Sequence, residues 1–265
     1  MDARARGVLA QEPKVLALYE SVLEQLPIGE GTRLLDVGCG AGLFLRLAAQ
    51  CGANVVGIDA DATFVEVARE RVPDAEVVVG DMETLPHDDE CFDVVTGFDT
   101  FQLASDPGRA LREAARVARP GAAVVIATWG RPEQCEAARY VNAVRRRLVP
   151  STAGPWGPFA LSSERALTSF ASAAGLIPGA RHDVPCVWNY ADDEHLLAAL
   201  RSTWFAVEAI AAAGEECVTA AILESVAPYR MSGGDYRLEN LFSYLIATTR
   251  HPPQPAANRD TSVSP

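Results

Sequence analysis

Apolar residues along the chain switch repeatedly between the spacing of strands and the spacing of helices. Runs of Val, Ile and Leu predict strands at residues 33–37, 54–58, 75–79, 92–96 and 122–128. Apolar positions at helical spacing predict intervening helices at residues 43–51, 62–72 and 107–118. Continuous apolar strands that alternate with helices are typical of a parallel sheet covered on both faces. The loops after the strands then meet at one edge of the sheet, where ligands bind in such folds.

The segments on either side of this alternation have a different pattern. Residues 13–26 predict an N-terminal helix. After the alternation, the pattern predicts a helix at 162–174, a strand at 181–190, helices at 192–213 and 215–227, and a last strand at 237–249. The two helices between the last two strands form an insertion over the sheet edge. The residues 252–265 are rich in Pro, Ser, Asn and Asp and predict a disordered tail.

These elements predict an organisation in five parts. They are an N-terminal helical cap at 1–30, an α/β core at 31–190, a helical lid at 191–235, the last core strand at 236–251 and the tail at 252–265.

Composition excludes several classes of protein. The formal net charge of −12 disfavours binding to nucleic acid and to anionic membranes, and Arg145–Arg147, the densest basic run, is interpreted as a solvated helix face. The six cysteines form no C-x-x-C pair and no zinc-ligand spacing, so no metal and no disulfide framework is expected. Residues 1–7 lack the apolar stretch of a signal peptide, and no apolar run of about 18 residues would span a membrane. We expect a cytoplasmic protein, either a monomer or a homodimer.

The strongest chemical signal is a glycine-rich turn between the first strand and the following helix. Gly38 and Gly40 allow a tight turn and a close approach of the backbone to a ligand. A dinucleotide fingerprint would place a third glycine at the position of Leu43. Asp36, just before the turn, would repel a pyrophosphate. The turn therefore fits a ligand that carries an ammonium and a carboxylate better than a dinucleotide.

Two further strands end in acidic residues. Asp59 ends the second strand, where a carboxylate accepts both hydroxyl protons of a ribose. The alternative is that Asp59 caps the next helix, although Asp61 would serve equally well. Asp81 and Met82 follow the third strand, where they would accept from an adenine amino group and pack against its ring. The fourth strand runs into a short aromatic and polar loop before a helix that begins at Pro107.

This ordered set of motifs resembles the class I S-adenosylmethionine-dependent methyltransferases. The similarity is greatest to the small-molecule branch that includes ubiquinone and menaquinone biosynthesis and natural-product methyltransferases, and it extends from about residue 13 to residue 250. It implies a Rossmann-like, seven-stranded, mostly parallel sheet with an antiparallel last strand and a helical lid insertion. It also implies S-adenosylmethionine as cofactor and S-adenosylhomocysteine as product.

The resemblance assigns residues to the two ligands. The cofactor would be bound by Asp36, Gly38, Cys39, Gly40, Asp59, Ala60, Asp81, Met82, Phe98 and Tyr19. The substrate would be bound by Gln102, Phe101, Trp129, Trp188 and Trp204. For Tyr19 and Gln102, an ordinary helix contact is the alternative. Aromatic residues on the lid suit a bulky apolar or aromatic acceptor, although plain helix packing also explains most of them.

The catalytic base and the acceptor stay open at this stage. Methyl transfer depends mainly on alignment of the reactants, and an acceptor hydroxyl or acidic carbon also needs a general base. His182, His195 and Asp99 are the candidates. We therefore expect methyl transfer to O, N or C of a small molecule. The alternative is a cyclase or isomerase of the same fold that binds S-adenosylmethionine without methylating. A dinucleotide oxidoreductase and a binding protein without turnover are disfavoured by the glycine spacing and by the intact acidic positions.

Overall fold

The computed structural model describes residue 9, residues 12–148 and residues 157–250. The tail predicted at 252–265 lies outside the described residues, so that expectation stays a prediction.

Seven strands form one sheet in this part of the chain. They are β1 (Arg33–Val37), β2 (Asn54–Asp59), β3 (Glu76–Val79), β4 (Phe92–Phe98), β5 (Ala118–Trp129), β6 (Ile177–Tyr190) and β7 (Tyr236–Thr248). Their spatial order is β3-β2-β1-β4-β5-β7-β6. The first five pair in parallel, and β7 is antiparallel to both β5 and β6. The predicted mostly parallel sheet with an antiparallel last strand is confirmed.

Helices connect these strands. They are α1 (Leu16–Gln25), α2 (Leu43–Gln50), α3 (Ala62–Arg71), α4 (Pro107–Val117), α5 (Ala138–Arg145), α6 (Glu164–Ala173), α7 (Asp193–Leu200), α8 (Trp204–Ala213) and α9 (Glu215–Val226). Four of them begin at a side chain that accepts a hydrogen bond from a backbone N–H of the first turn, namely Asp61, Asp106, Ser163 and Asp192. Single turns of 3₁₀ helix lie at Glu12–Val15, Phe101–Leu103, Pro132–Gln134 and Ala227–Tyr229.

Successive residues of the central strands enter two separate apolar cores. Leu34 and Val94 belong to the core that α1, α2 and α3 cover, whereas Leu35 and Val95 belong to the core that α4 and α6 cover. All four are at most 3% exposed. Because side chains alternate across a strand, a sheet buried on both faces needs apolar residues at every position, which explains the uninterrupted Val and Leu runs. Burial of each such side chain stabilises the fold by about 1.5–3 kcal/mol.

The long helix predicted at 192–213 is wrong, because two helices, α7 and α8, occupy that stretch and are bent by 94°. The hydroxyls of Ser202 and Thr203 donate to the carbonyls of Ala199 and Leu200, at 2.7 and 3.0 Å. Side-chain hydrogen bonds of this kind replace the backbone bonds that would continue a helix. The Tyr140 hydroxyl also donates to the Leu200 carbonyl, at 3.0 Å, so a contact with α5 helps to hold the break.

Other boundaries also differ from the prediction. β5 begins at Ala118 rather than at 122, and its pairing with β4 shifts register near Phe92, so the residues between the predicted helix and the predicted strand belong to the strand. β6 begins at Ile177 rather than at 181. No bounds were predicted for α5, although the basic run at its end was interpreted as a helix face; α5 packs against α8 and α9. The lid therefore combines α7–α9 with a helix from the connection between β5 and β6.

No single helix in the described ranges is long and apolar enough to cross a membrane, and α7 and α8 meet the length and composition criteria only as a bent pair.

Gly130, directly after β5, should be intolerant of a side chain. An added Cβ would lie 2.7 Å from the Leu241 carbonyl oxygen, which already accepts the Gly130 N–H. We expect Gly130→Ala to lower the free energy of unfolding by about 1–3 kcal/mol, measured by urea denaturation. Gly29→Ala is the control, because a Cβ there meets no atom within 4 Å, and it should change stability by less than about 0.5 kcal/mol. Equal effects of the two substitutions would contradict the packing argument.

Candidate functional site

A cavity of about 1090 Å³ lies at the carboxyl ends of the parallel strands. Its lining comes from two sides. The ends of β1 to β4 and the loops after them contribute Gly38, Gly40, Asp59, Ala60, Met82, Phe98, Asp99 and Gln102, and the other side, formed by β5, β6, α5 and α8, contributes Trp129, Trp188, Tyr140, Trp204, Phe205 and Glu208. β6 runs in the same direction as β5, which brings Trp188 to the same sheet edge. The volume slightly exceeds the range of about 300–1,000 Å³ typical of ligand pockets.

The glycine loop after β1 is bound to the neighbouring strand β2. The backbone N–H groups of Gly38 and Cys39 both donate to the Ile58 carbonyl, at 2.8 and 3.0 Å. Gly38 has φ of +71°, and a Cβ there would lie 2.1 Å from Thr100 Oγ1. Gly40 also has a positive φ, of +53°, but a Cβ there would meet no protein atom within 4 Å. Gly38 is therefore required by packing, whereas Gly40 leaves open space beside the cavity.

Asp59 joins the end of β2 to the glycine loop. Its Oδ2 accepts from the Gly40 N–H and its Oδ1 accepts from the Asp61 N–H, both at 2.9 Å. Asp61, not Asp59, caps α3 by accepting from the Thr63 N–H. Asp61 therefore provides the helix cap that was considered as the alternative role of Asp59. A carboxylate such as that of Asp59 is an acceptor-only group, of the kind that accepts hydrogen bonds from ligand hydroxyls.

Asp36 lies beneath the loop and does not line the cavity. Its side chain is 2% exposed, and Oδ1 accepts a hydrogen bond from Thr96 Oγ1 at 2.7 Å. Burial raises the pKa of Asp36 to about 7, with a smaller contribution from the negative charge of Asp59, while the Thr96 bond opposes the shift. Asp36 therefore does not contact a ligand in the cavity directly. It can influence the ligand only through its charge and by supporting the glycine loop above it.

Asp99 is the cavity residue with the most unusual environment. It adopts a left-handed backbone conformation, with φ of +52°, directly after β4. The Trp129 indole N–H donates to its Oδ2 at 2.8 Å, and the Gln102 amide donates to its Oδ1. Burial raises the pKa of Asp99 to about 7, although both hydrogen bonds favour the charged form. Its carboxyl group can therefore exchange a proton with a ligand near neutral pH.

Tyr19 supports the cavity from behind. Its ring packs against Phe98 and Phe44, with centroid separations of 4.6 and 5.4 Å, and Phe98 lines the cavity. Burial raises the pKa of the Tyr19 phenol. The structure places Tyr19 in contact with Phe98 and not among the cavity-lining residues, so a contact of Tyr19 with the cofactor stays a prediction.

The aromatic wall opposite the glycine loop contains all three predicted tryptophans. Trp129 contacts Trp188 at 5.4 Å between centroids and Phe242 at 4.7 Å, and Trp204 lines the cavity from α8. Gln102 also lines it and is 2% exposed. Phe101, predicted as a substrate contact, is instead buried in the second core, where its ring occupies the space above Gly97.

Four other predicted residues lie away from the cavity lining. Cys39 is buried against Gly57, and burial raises the pKa of its thiol. Asp81 is exposed, and its Oδ1 accepts from the Glu83 N–H. The other two are the histidine candidates for the base.

Neither histidine reaches the cavity. His182 stacks on Tyr244, with centroids 4.8 Å apart and rings 9° from parallel. His195 lies on the surface at the start of α7, where its Nδ1 is 2.7 Å from Asp192 Oδ1, and this contact raises the pKa of the histidine. Of the three candidates for the general base, only Asp99 lines the cavity.

Sequence reasoning missed several cavity residues. Thr100, Tyr140, Phe205 and Glu208 all line the cavity. Glu208 lies four positions after Trp204, so helical spacing would have placed it on the same face of α8. No comparable local signal marks Tyr140. Within the described ranges, no group of three or more His, Cys, Asp or Glu side chains could hold a metal ion.

Residues 35–126 match the family model described as a methyltransferase domain. The chain is 37% identical to malonyl-(acyl-carrier protein) O-methyltransferase from Pectobacterium atrosepticum, over 41% of this chain and 43% of that protein. It is 34% identical to ubiquinone biosynthesis O-methyltransferase from Alkalilimnicola ehrlichii, over 56% of this chain and 62% of that protein. The chain thus spans about half the length of these relatives.

Solved structures share the fold. YcgJ from Bacillus subtilis superposes with a TM-score of 0.60 at 20% identity, over 88% of this chain and 98% of that one. The [4+2]-cyclase SpnF superposes with a TM-score of 0.57 at 22% identity, over 89% of this chain and 80% of that one. The predicted resemblance to S-adenosylmethionine-dependent methyltransferases and the Rossmann-like fold are confirmed.

The raised pKa of Asp99 predicts a specific dependence of stability on pH. The folded-state pKa of Asp99, about 7, lies above its ordinary value. Between these two pKa values the folded state binds more protons than the unfolded state, so Asp99 lowers the free energy of unfolding as pH rises from about 4 to 7. We expect Asp99→Asn to gain about 1–3 kcal/mol relative to the unsubstituted chain between pH 5 and pH 8, measured by urea unfolding. Asp74→Asn, at an exposed position, controls for the loss of one charge. A difference that does not change with pH would contradict the assigned environment.

Proposed function

We propose that the chain is an S-adenosylmethionine-dependent methyltransferase that acts on a small-molecule acceptor. The observation that carries this proposal is one cavity that combines three features. These are a glycine loop held by an acidic strand end, a carboxyl group with a pKa near 7, and an aromatic wall on the opposite side. The family match over 35–126 supports the first two, since it includes the glycine loop, Asp59 and Asp99.

The residues around the glycine loop fit the cofactor. The open space beside Gly40 admits a ligand that a Cβ would obstruct. Asp59 would accept from the ribose hydroxyls, Met82 would pack on the adenine, and Phe98 would border the sulfonium. The negative charge of Asp36 below the loop would favour the ammonium of the methionine portion. When bound, S-adenosylmethionine supplies a methyl group already activated for transfer.

Asp99 is proposed as the general base. Its carboxylate would accept the proton of an acceptor hydroxyl or N–H, and a base of this kind accelerates proton transfer by about 10²–10⁴. Trp129 and Gln102 hold the carboxylate in one orientation through their hydrogen bonds. The aromatic wall and the lid would align the acceptor and exclude water, which supplies the proximity effect.

A non-methylating cyclase or isomerase is the competing function. The structural similarity to a [4+2]-cyclase shows the fold alone and does not favour it. A carboxyl group with a pKa near 7 in the cavity favours proton abstraction before methyl transfer. Formation of one S-adenosylhomocysteine per acceptor consumed distinguishes methyl transfer from cyclisation.

The first experiment tests cofactor binding by titration calorimetry. S-adenosylmethionine and S-adenosylhomocysteine should both bind, and Asp59→Ala should weaken binding by roughly 10–100-fold, since it removes charge-assisted hydrogen bonds. Asp74→Ala, at an exposed position outside the cavity, should bind both ligands normally. A folded protein that binds neither ligand at millimolar concentration would refute the proposed function.

The second experiment tests the base. We expect Asp99→Asn to lower kcat by about 10²–10⁴ in assays of labelled methyl transfer, because an amide cannot accept the proton. Asn tolerates the left-handed backbone at this position, so the variant should fold and bind S-adenosylhomocysteine within about threefold of the unsubstituted chain. In the unsubstituted chain, kcat/KM should rise as pH increases through about 7, where the carboxyl group loses its proton. Full activity of Asp99→Asn would exclude Asp99 as the base.

A further inference from the structure

The charged side chains that line the cavity all have the same sign. They are Asp59, Asp61, Asp99 and Glu208, and no Lys, Arg or His occurs among the described lining residues. A carboxylate or phosphate on the acceptor would lose part of its hydration without meeting a cationic side chain among the described lining residues, which is unfavourable. The lining therefore selects against anionic acceptors.

Three of these four carboxylates already have a structural role. Asp59 binds the glycine loop, Asp61 caps α3, and Asp99 accepts from Trp129 and Gln102. Glu208 is exposed, and it makes no hydrogen bond or ion pair with another residue in the described ranges. Its carboxylate is therefore available to a ligand.

Glu208 lies one helical turn after an aromatic residue that lines the same cavity. Glu208 and Trp204 are one helical turn apart on α8, and both line the cavity. Trp188, Tyr140 and Phe205 add further rings at the lid side. A carboxylate next to aromatic faces is the combination that binds organic ammonium groups, through an ion pair and a cation–π contact. The positive charges of the cofactor, bound at the strand ends, do not account for an acidic group on the lid.

We infer that the acceptor carries a protonated amine, which Glu208 and Trp204 bind at the lid side of the cavity. This inference rests on the proposed function and specifies the substrate class for the same site. The amine is a recognition group, and Glu208 and Trp204 are specificity-determining residues.

The test compares three probes on protein saturated with S-adenosylhomocysteine. Tyramine carries an ammonium, 4-propylphenol is its neutral isostere, and 3-(4-hydroxyphenyl)propanoate carries a carboxylate. Titration calorimetry should show tyramine binding about five- to tenfold tighter than 4-propylphenol, with the carboxylate weakest. Glu208→Gln should remove the preference for tyramine and leave the affinity for 4-propylphenol unchanged. Glu224→Gln, an exposed substitution on α9 that does not line the cavity, should keep the preference.

Several results would overturn the inference. These are equal affinity for the three probes, tighter binding of the carboxylate, no binding of any probe, or an unchanged preference in Glu208→Gln. Binding of S-adenosylhomocysteine is measured first on each variant. A chain that binds S-adenosylhomocysteine but lacks the amine preference refutes this inference alone, whereas a folded chain that fails to bind it refutes the proposed function.

Discussion

The pairing of β1 with β4 is the constraint on which the cavity depends. Strand order reverses at this pair, since β2 and β3 lie on one side and β5 to β7 on the other. At such a switch point the loops after the two strands diverge and leave a crevice, because right-handed crossovers send their helices to opposite faces. Asp36 on β1 and Thr96 on β4 are paired in register and joined by a hydrogen bond beneath the glycine loop. The glycine loop and the turn at Asp99 thus both rest on the same pair of strands, β1 and β4.

Two carboxyl groups at this point carry an energetic cost. Burial raises the pKa of Asp36 and of Asp99 to about 7, so each opposes folding at pH values where it must ionise. Asp99 also occupies a backbone conformation that non-glycine residues rarely adopt. Groups of this kind gather at functional sites, because a proton acceptor is most effective when its pKa lies near the working pH. The rest of the sheet, buried on both faces, supplies the stability that offsets this cost.

The break between α7 and α8 decides which lid residues reach the cavity. The hydroxyls of Ser202 and Thr203 complete the end of α7, and Thr203 Oγ1 also lies 2.7 Å from the Tyr140 hydroxyl. A continuous helix would carry Trp204 and Glu208 onward along the axis of α7, whereas the 94° bend directs α8 across it. The position of Trp204 and Glu208 therefore depends on the hydroxyl network of Ser202, Thr203 and Tyr140, whose members also line the cavity.

The sequence by itself determined the elements whose signals are local. Apolar runs predicted each boundary of β1 to β4 to within two residues, and the glycine spacing with Asp59 marked the sheet edge where the cavity lies, because a strand and a turn each depend on a few neighbouring residues. Only the tertiary structure decided the rest. It distinguished Asp99 from His182 and His195 as a candidate base, since Asp99 alone of the three lines the cavity and one of its two hydrogen-bond partners, Trp129, lies thirty residues away. It also broke the lid helix through a contact with Tyr140 and brought Glu208 to the cavity. The environment of Asp99, the break in the lid helix and the position of Glu208 all depend on packing between distant segments. The periodicity of apolar residues along the chain contains no information about such packing.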